Sequence, residues 1–533
     1  GFNDVVVGAF FDDDNGQNSG SAYVYLGSTT VATNEAKLVA SDGADEDYYG
    51  RSVSGAGDIN GDGYDDIIVG AQNDDNEGDN SGSSYLYFGN SSGISPTTEY
   101  RLVPSDAGTS NQFGTAVAGA GDVNGDGYDD IIVGTGYGLA PGYLGGAYIF
   151  HGGSSGIDLQ SETKLVSADI AQFDYFGSSV AAAGDVNGDG YSDVIIGAYA
   201  DSHTANSAGS AYIFLGSANG IDDKSETKLL APNASDDDFF GDCVAGAGDV
   251  NGDGYDDVIV GAWQHGVDRS GNAFVYLGSS SGIDVSNPIE FRSSDIISQQ
   301  KFGISVAGAG DIDGDGYDDV IVGAIGDDDN GFASGAAYLF PGSSTGIDTS
   351  REVKLLASEG TETDKLGVSV AGAGDVNHDG WADVIVGAYL DQNGSAYVFT
   401  GNYCVDDTDG DGLTDCIEEI LRSNPKMADT DGDTLSDGDE ILLHGTSPTD
   451  DDSDDDGYND GEELTAGSDP LDASSIPGSG EDTGDTDVDT DTPGGDAGDT
   501  DSKDGCQSCS TGVHPTGVLA ITLAMITVAM RRR

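Results

Sequence analysis

Positive charge is what this chain has least of. Its 533 residues include 18 lysines and arginines against 97 aspartates and glutamates, a net charge of −79. Such a polyanion repels nucleic acid and anionic headgroups, which excludes both as partners. Its acid must be solvated or neutralised by bound cations. Histidine (6 residues) and cysteine (5 residues) recur in no acidic loop, which excludes zinc there. Long apolar stretches are also missing. The uninterrupted run near the C-terminus, Gly517–Met530, has 14 residues. As a helix it would reach about 21 Å, short of a bilayer core of about 30 Å. Glycine is abundant at 85 residues but has no G-X-Y period, so collagen is excluded. Apolar content, at 37%, is low yet gathered in short β-branched runs. That argues for short strands joined by tight turns rather than for disorder.

What is present is one unit, repeated. GDINGDGYDDIIVGA at 57–71 has counterparts whose first aspartates are Asp58, Asp122, Asp185, Asp249, Asp311 and Asp375, spaced 64, 63, 64, 62 and 64 residues apart. Each unit runs through an aromatic or Leu plus Gly, a small-residue run (VAGAG), the acidic loop, an apolar run (DVIVGA) and a variable loop. A run like SAYVYLGS, a turn like SSGID and a run like TKLL follow. That makes strand-length segments A to D, the content of a propeller blade. Strand A is small throughout, as the crowded axis requires, and strand B reads as a strand covered on both faces. GFNDVVVGA (1–9) aligns with GYDDIIVGA (63–71), and the last unit stops after strand C (SAYVFTGN, 395–402). The expectation is an all-β, seven-bladed β-propeller whose first blade is truncated at the N-terminus. Upstream residues would supply strand A of the first blade, strand D of the last, and an export signal.

The copies form an internal substitution record, numbered from the first Asp. Position 1 is always Asp. Position 3 is Asn60, Asn124, Asn187, Asn251, Asp313 and Asn377. Position 5 is Asp62, Asp126, Asp189, Asp253, Asp315 and Asp379, and position 6 is always Gly. Position 7 is Tyr64, Tyr128, Tyr191, Tyr255, Tyr317 and Trp381; position 9 is Asp66, Asp130, Asp193, Asp257, Asp319 and Asp383. Position 8 drifts (Asp65, Ser192, Ala382), which removes it from the candidate ligands. Oxygen donors at positions 1, 3, 5 and 9, a backbone carbonyl at 7 and Gly at 6 are the spacing of a calcium loop. A solvated turn would not hold Asp at 1, 5 and 9 while releasing position 8. His378, at position 4 of the last loop, is the only histidine near a site and reads as incidental.

FG, then D-x-[ND]-x-D-G-[YW]-x-D, then VGA, at this period, resembles the FG-GAP repeats of integrin α-subunit propellers and their bacterial relatives over residues 1–402. The resemblance implies calcium in the A–B hairpins, about six sites, and a role in adhesion or ligand binding. Uniform A–B and C–D turns suit structure; diverse B–C loops (QNDDNEGDNSG, GYGLAPGYLG, WQHGVDRSG) suit recognition. A ligand would sit on the B–C/D–A face, with Tyr137, Tyr143, Trp263, His265 and Arg269 as candidates.

After residue 402 the pattern changes. Loops beginning at Asp407, Asp429 and Asp452 place carboxylates at 1, 3, 5, 9 and 12. These are Asp407, Asp409, Asp411, Asp415 and Glu418; then Asp429, Asp431, Asp433, Asp437 and Glu440; then Asp452, Asp454, Asp456, Asp460 and Glu463. This is EF-hand-like spacing with its bidentate Glu, up to three further calcium sites, although Thr434 replaces the position-6 Gly in the middle loop. The region 403–472 resembles bacterial thrombospondin type 3 repeats, calcium-stiffened stalks. Cys404 and Cys416 bracket the first loop, and an oxidising compartment would allow a disulfide between them. Cys243, in a strand-like run, reads as a small buried residue. Residues 473–505 (GEDTGDTDVDTDTPGG) read as an acidic disordered linker. The tail 506–533, with Cys506, Cys509, a short apolar run and Arg531–Arg533, resembles a myxobacterial C-terminal sorting tail and supplies the only membrane contact.

The resulting expectation is a surface-displayed or secreted calcium-binding propeller, C-terminally anchored or processed, that binds a protein or glycan ligand. A lectin-like or matrix-binding module is the alternative. Every acidic cluster is accounted for by calcium and no catalytic constellation stands out, so an enzyme is not expected. A non-catalytic part of a larger hydrolase is the lesser alternative.

Overall fold

The computed structural model describes residues 2–28, 35–136, 144–159, 161–224, 226–266, 269–295, 299–357, 360–391 and 394–401, parts of 408–477, and 529–531. The chain forms two compact units, Gly1–Tyr403 with Val518–Arg533, and Cys404–Gly517.

In the first unit the described strands build seven antiparallel sheets, six of them pairing their strands in chain order. In the fourth sheet strand A (Ser179–Gly184) pairs with B (Asp193–Ala198), B with C (Ser210–Phe214), and C with D (Glu226–Leu229). This is the seven-bladed β-propeller that the repeat predicts. Strand B is buried along its whole length because both faces are covered. One core cluster joins Ile132, Ile149 and Leu165 of one blade to Val194, Ile196 and Phe214 of the next. Each such aliphatic side chain contributes roughly 1.5–3 kcal/mol on burial.

The glycines of the repeat set the distance between blades. A Cβ on Gly134, in the VGT of one strand B, would lie 2.0 Å from the carbonyl oxygen of Gly177, in the FG of the next blade. The same backbone approach joins Gly70 to Gly114 at 2.1 Å and Gly197 to Gly241 at 2.0 Å. The aromatic before each FG glycine fills the blade core edge-on to a strand C tyrosine, as Phe176 does to Tyr212 at 5.3 Å. Inner strands are also tied by hydrogen bonds between neighbours. Ser52 Oγ accepts from the Val117 N–H at 3.0 Å, and Ser179 Oγ from Val244 at 3.1 Å. Cys243 takes the same place, its Sγ 3.3 Å from the Val306 N–H. It is half-buried rather than fully buried, and burial pushes its thiol up to about 11. It therefore substitutes for a serine in the blade joint.

The ring ends differ from expectation in one respect. Among the described residues the last sheet has strands A to C only. In the first sheet the place of strand A is taken by Ala529–Arg531, antiparallel to Asn3–Ala9, with Asp4 opposite Met530. The buried valines of Asn3–Ala9 leave an open edge there, and an apolar segment of the chain's own tail pairs with it, where upstream residues were expected.

In the second unit a short helix, Asp437–Asp439, runs on through Glu440–His444, and a further helix spans Asp460–Ala466. Ser436 and Asn459 cap them by accepting from backbone N–H groups. Cys404, Cys416, Cys506 and Cys509, the linker from 478, and most of the apolar tail lie outside the described residues. Among the described residues no helix is long and apolar enough to cross a membrane.

Two glycine substitutions should separate packing from conformation. Gly190 has φ +89 and open space around its Cβ direction, so Gly190→Ala should cost about 1–2 kcal/mol. Gly134→Ala meets backbone and should cost about 3 kcal/mol. Calorimetric melting of both variants checks the order; equal losses would remove the blade-contact argument.

Candidate metal centre

The acidic loops between strands A and B share one wiring. Asp122 Oδ1 accepts from the N–H groups of Gly125 (2.6 Å) and Asp126 (3.1 Å), and Oδ2 from Gly127 (2.8 Å). Asn124 Oδ1 accepts from the Asp126 N–H (2.9 Å), and Asp126 Oδ1 from Tyr128 (3.1 Å). The loops at Asp185, Asp249 and Asp375 repeat the bonds to positions 5, 6 and 7. The side-chain oxygens of positions 1, 3 and 5 are thus held on the N–H groups of their own loop.

Position 9 is different. Asp66, Asp130, Asp193, Asp257, Asp319 and Asp383 are all 0% exposed. In Asp130, Oδ2 accepts from the Val123 N–H at 3.0 Å, and Oδ1 from Gly152, in the C–D turn, at 2.9 Å. Oδ1 is also approached by His151 Nδ1 at 3.3 Å, whereas Oδ2 keeps a further lone pair. This carboxylate stitches the A–B loop to the C–D turn, which places both turns on one face. Burial pushes Asp66 and Asp319 up to about 8, Asp193 and Asp257 to about 7 and Asp383 to about 6; backbone N–H groups oppose the shift and neighbouring aspartates add to it. A dehydrated carboxylate beside like charges is the environment a divalent cation stabilises.

Successive loops also touch. A Cβ on Gly125, at position 4, would lie 2.6 Å from the ring of Tyr191, the position-7 residue of the next blade; Gly188 meets Tyr255 at 2.7 Å and Gly314 meets Trp381 at 2.0 Å. At ring closure His378 fills position 4, and its ring packs 5.2 Å from that of Phe2, which aligns with position 7. His378 is therefore a blade contact and not incidental. Position 8 has a related role. Asp129 Oδ2 accepts from the Asp58 N–H of the preceding loop at 2.8 Å, and Asp256 from Asp185 at 2.7 Å.

Sequence reasoning missed two side chains at these loops. Arg351 reaches Asp313 at 2.6 Å and Asp315 at 3.3 Å. It thereby balances the one loop with Asp in place of Asn at position 3. Asp311, Asp313 and Asp315 there bring oxygens within 4.8 Å of one another. His151 Nδ1 lies 3.3 Å from both Asn124 Nδ2 and Asp130 Oδ1, so His378 is not the only histidine at a loop. The Asp130 contact raises the His151 pKa.

In the second unit the acidic sets Asp409, Asp411 and Glu418; Asp429, Asp431 and Asp433; and Asp452, Asp454 and Asp456 each converge within 4.8 Å. Asp407 and Asp415 lie outside the described residues. Thr434 adopts φ +87, the conformation glycine would take, and its N–H still reaches Asp429 Oδ2 at 3.2 Å. Glu440 and Glu463, at position 12, are 0% exposed. Among the described residues, Glu440 Oε2, both Glu463 carboxylate oxygens, Asp431 Oδ2, Asp454 Oδ2 and Asp456 Oδ2 are buried with no hydrogen-bond partner. Burial, with neighbouring aspartates adding to it, pushes Glu440 up to about 8 and Asp431 to about 6. Orphaned hard oxygens from carboxylates alone are the donor set for calcium and unsuited to zinc. Tandem loops are stitched here too: Asp411 Oδ2 accepts from Gly438, and Asp433 Oδ2 from Gly461, both at 2.7 Å.

Of the ligand-face candidates, His265 is 6% exposed, its Nδ1 2.9 Å from Asp238 and its Nε2 3.6 Å from Glu290. It braces a loop and is closed to a ligand. Trp263 is half-buried and stacks on Phe239 at 5.2 Å, and Arg269 is exposed beside Asp237. Tyr137 and Tyr143 lie outside the described residues.

A repeated hairpin with acidic loops, ring-closed in seven blades, defines a class of loop-stapled propellers, and comparison with known proteins gives the family. FG-GAP repeat models match residues 2–25, 32–87, 113–150, 176–214 and 349–399, and an FG-GAP-like repeat model matches 249–322. A bacterial TSP3 repeat model matches 407–428 and 452–473, leaving the middle loop between them. The chain is an FG-GAP repeat propeller protein that also carries bacterial TSP3 repeats. It is similar to integrin alpha pat-2 of Caenorhabditis briggsae, 36% identical over 254 residues, which cover 44% of this chain and 19% of that protein. Integrin alpha-4 of Xenopus laevis is 33% identical over 237 residues, 44% of this chain and 21% of that protein. Human integrin alpha-IIb is 39% identical over 157 residues, 28% and 15% respectively. The matched stretch spans about a fifth or less of these relatives' own length.

The raised carboxylates give a signed pH response. Between about pH 4 and 8 the folded, cation-free chain holds protons on Asp66 and Asp319 that the unfolded chain has released. Stability then falls as pH rises through that window. In chelator the melting temperature should rise from pH 8 to pH 5.5; in excess calcium, which keeps these groups ionised, it should not. Parallel slopes in both media would contradict the assignment.

Proposed function

We propose that this chain is an extracellular, calcium-stabilised binding protein. Calcium occupies about six propeller loops, through positions 1, 3, 5, 7 and 9, and up to three stalk loops through the carboxylates named above. The working division is a propeller over 1–402, a calcium stalk over 403–472, an acidic linker over 473–505 and a tail over 506–533 that anchors or sorts the chain at the cell surface. The B–C/D–A face presents a protein or glycan ligand site, and the role is binding, not catalysis. One observation carries the calcium reading: buried, unpartnered carboxylate oxygens converge in the second and third stalk loops. Likeness to integrin α chains supports the binding role. Extracellular modules of this kind hold calcium with Kd of roughly 10⁻⁴–10⁻³ M, which suits millimolar calcium outside cells.

Adhesion of the purified chain to cells or extracted matrix tests the reading. Binding should require millimolar calcium and be lost when the B–C loops at 72–81 and 263–270 are exchanged for the turn of another blade. Binding untouched by both treatments would overturn it.

A further inference from the structure

One blade departs from the repeat twice, and the two departures meet. Position 3 of its acidic loop is Asp313, where the other five loops have Asn. Four residues before the end of its strand D stands Arg351. The other blades have Asn34, Thr98, Ser161, Ser225 and Asn287 at that place. All are small, polar and uncharged. Arg351 Nη2 lies 2.6 Å from Asp313 Oδ2, and Nη1 lies 3.3 Å from Asp315 Oδ2. The Asp313 side chain is only 3% exposed and that of Arg351 18%, so the pair is largely withdrawn from water. It is therefore not the solvent-screened kind of surface pair that contributes little.

The guanidinium takes the oxygens that the loop itself leaves open. Asp313 Oδ1 accepts from the Asp315 N–H at 3.2 Å, and Asp315 Oδ1 from the Tyr317 N–H at 3.1 Å. Asp311 spends both oxygens on the loop, accepting from Gly314 at 2.7 Å and Gly316 at 3.0 Å. Arg351 then holds Oδ2 of both Asp313 and Asp315. A planar fork reaches two carboxylates at once, which a lysine ammonium would not do with the same geometry.

The charge is conserved as well. A loop with Asn at position 3 has carboxylates at positions 1, 5 and 9. Here a fourth carboxylate comes with one guanidinium, and the net charge is the same. The arginine is also fixed in place by its surroundings. Asp319 ties its turn to the loop, with Oδ1 accepting from Gly342 and Oδ2 from Ile312, both at 2.8 Å. Within the turn, the Asp348 N–H donates to the Pro341 carbonyl at 2.8 Å, and the Arg351 N–H to the Asp348 carbonyl at 3.3 Å.

We propose that Arg351 is a latch that stands in for calcium at this loop. With no ion present, the guanidinium holds positions 3 and 5 against the C–D turn, so the loop stays closed. A divalent cation enters only by displacing it. This loop is then the last of the six to fill, and its blade joint is the last to loosen when calcium is withdrawn. The latch rests on the calcium reading proposed above and adds that the six loops are unequal, with one arginine setting the order.

Equilibrium dialysis of the full chain against calcium tests it, using wild type, Arg351→Ser, Asp313→Asn and the double variant. In Arg351→Ser, which restores a residue found in other blades, one site should fill at about tenfold lower calcium than in wild type. In Asp313→Asn, which keeps the arginine, that site should fill at about tenfold higher calcium. The double variant should fill it together with the other loops. Melting supplies a second readout: Arg351→Ser should melt below wild type in EDTA and level with it in saturating calcium. Arg351→Lys, which keeps the charge and loses the fork, should fall between the two. A binding curve for Arg351→Ser that superposes on wild type would overturn the latch. So would an equal loss of melting temperature in both media, the mark of a merely structural ion pair. A wild type that binds no calcium would instead overturn the calcium reading itself, and the latch with it.

Discussion

A carboxylate taken out of water must find a positive partner or give up its charge, and the whole of this molecule is arranged around that constraint. Desolvating an isolated carboxylate costs several kcal/mol even after relaxation. Here the cost recurs in every blade, because position 9 of each loop is fully buried between the A–B loop and the C–D turn. It recurs again in the stalk, where Glu440 and Glu463 are fully enclosed. Lysines and arginines are too few to answer it. Where one does, as Arg351 at Asp313, the loop carries an extra acid to match. For the remaining loops a divalent cation from solution is the available partner.

The same loops are the joints between blades. The ring at position 7 rests on position 4 of the preceding loop. Position 8 reaches back to the position-1 N–H. Ordering one loop therefore positions part of the next, and Phe2 on His378 carries the contact across the ring closure. The stalk uses a parallel device, with position 5 of one loop accepting from Gly438 or Gly461 of the following loop. In both regions a bound ion would stiffen a chain of contacts and not a single turn. The B–C loops, by contrast, differ from blade to blade.

Much of this was legible in the sequence because the repeat reports on itself. Six copies holding Asp at 1, 5 and 9 while releasing position 8 mark the candidate ligand positions. Small residues in strand A and continuous Val/Ile in strand B mark the axis and the covered strand. What was not legible is what joins distant positions. Arg351 meets Asp313 through the C–D turn, and His151 meets Asn124 through the end of strand C; neither pairing has a sequence period. His378 looked idle because its partner lies at the other end of the propeller. His265 looked like a ligand residue because burial by Asp238 and Glu290 is invisible in a loop sequence. The edge strand Ala529–Arg531 comes from a segment whose composition read as a sorting tail.

The central claim is that cations neutralise these buried carboxylates. Six propeller sites filled at about ten times their Kd would together add on the order of 8 kcal/mol. Calorimetric melting of the full chain in millimolar calcium and then in excess EDTA measures that term directly. The account predicts a fall in melting temperature on the order of 10 °C on chelation, restored by returning calcium. A melt unchanged by EDTA would contradict it.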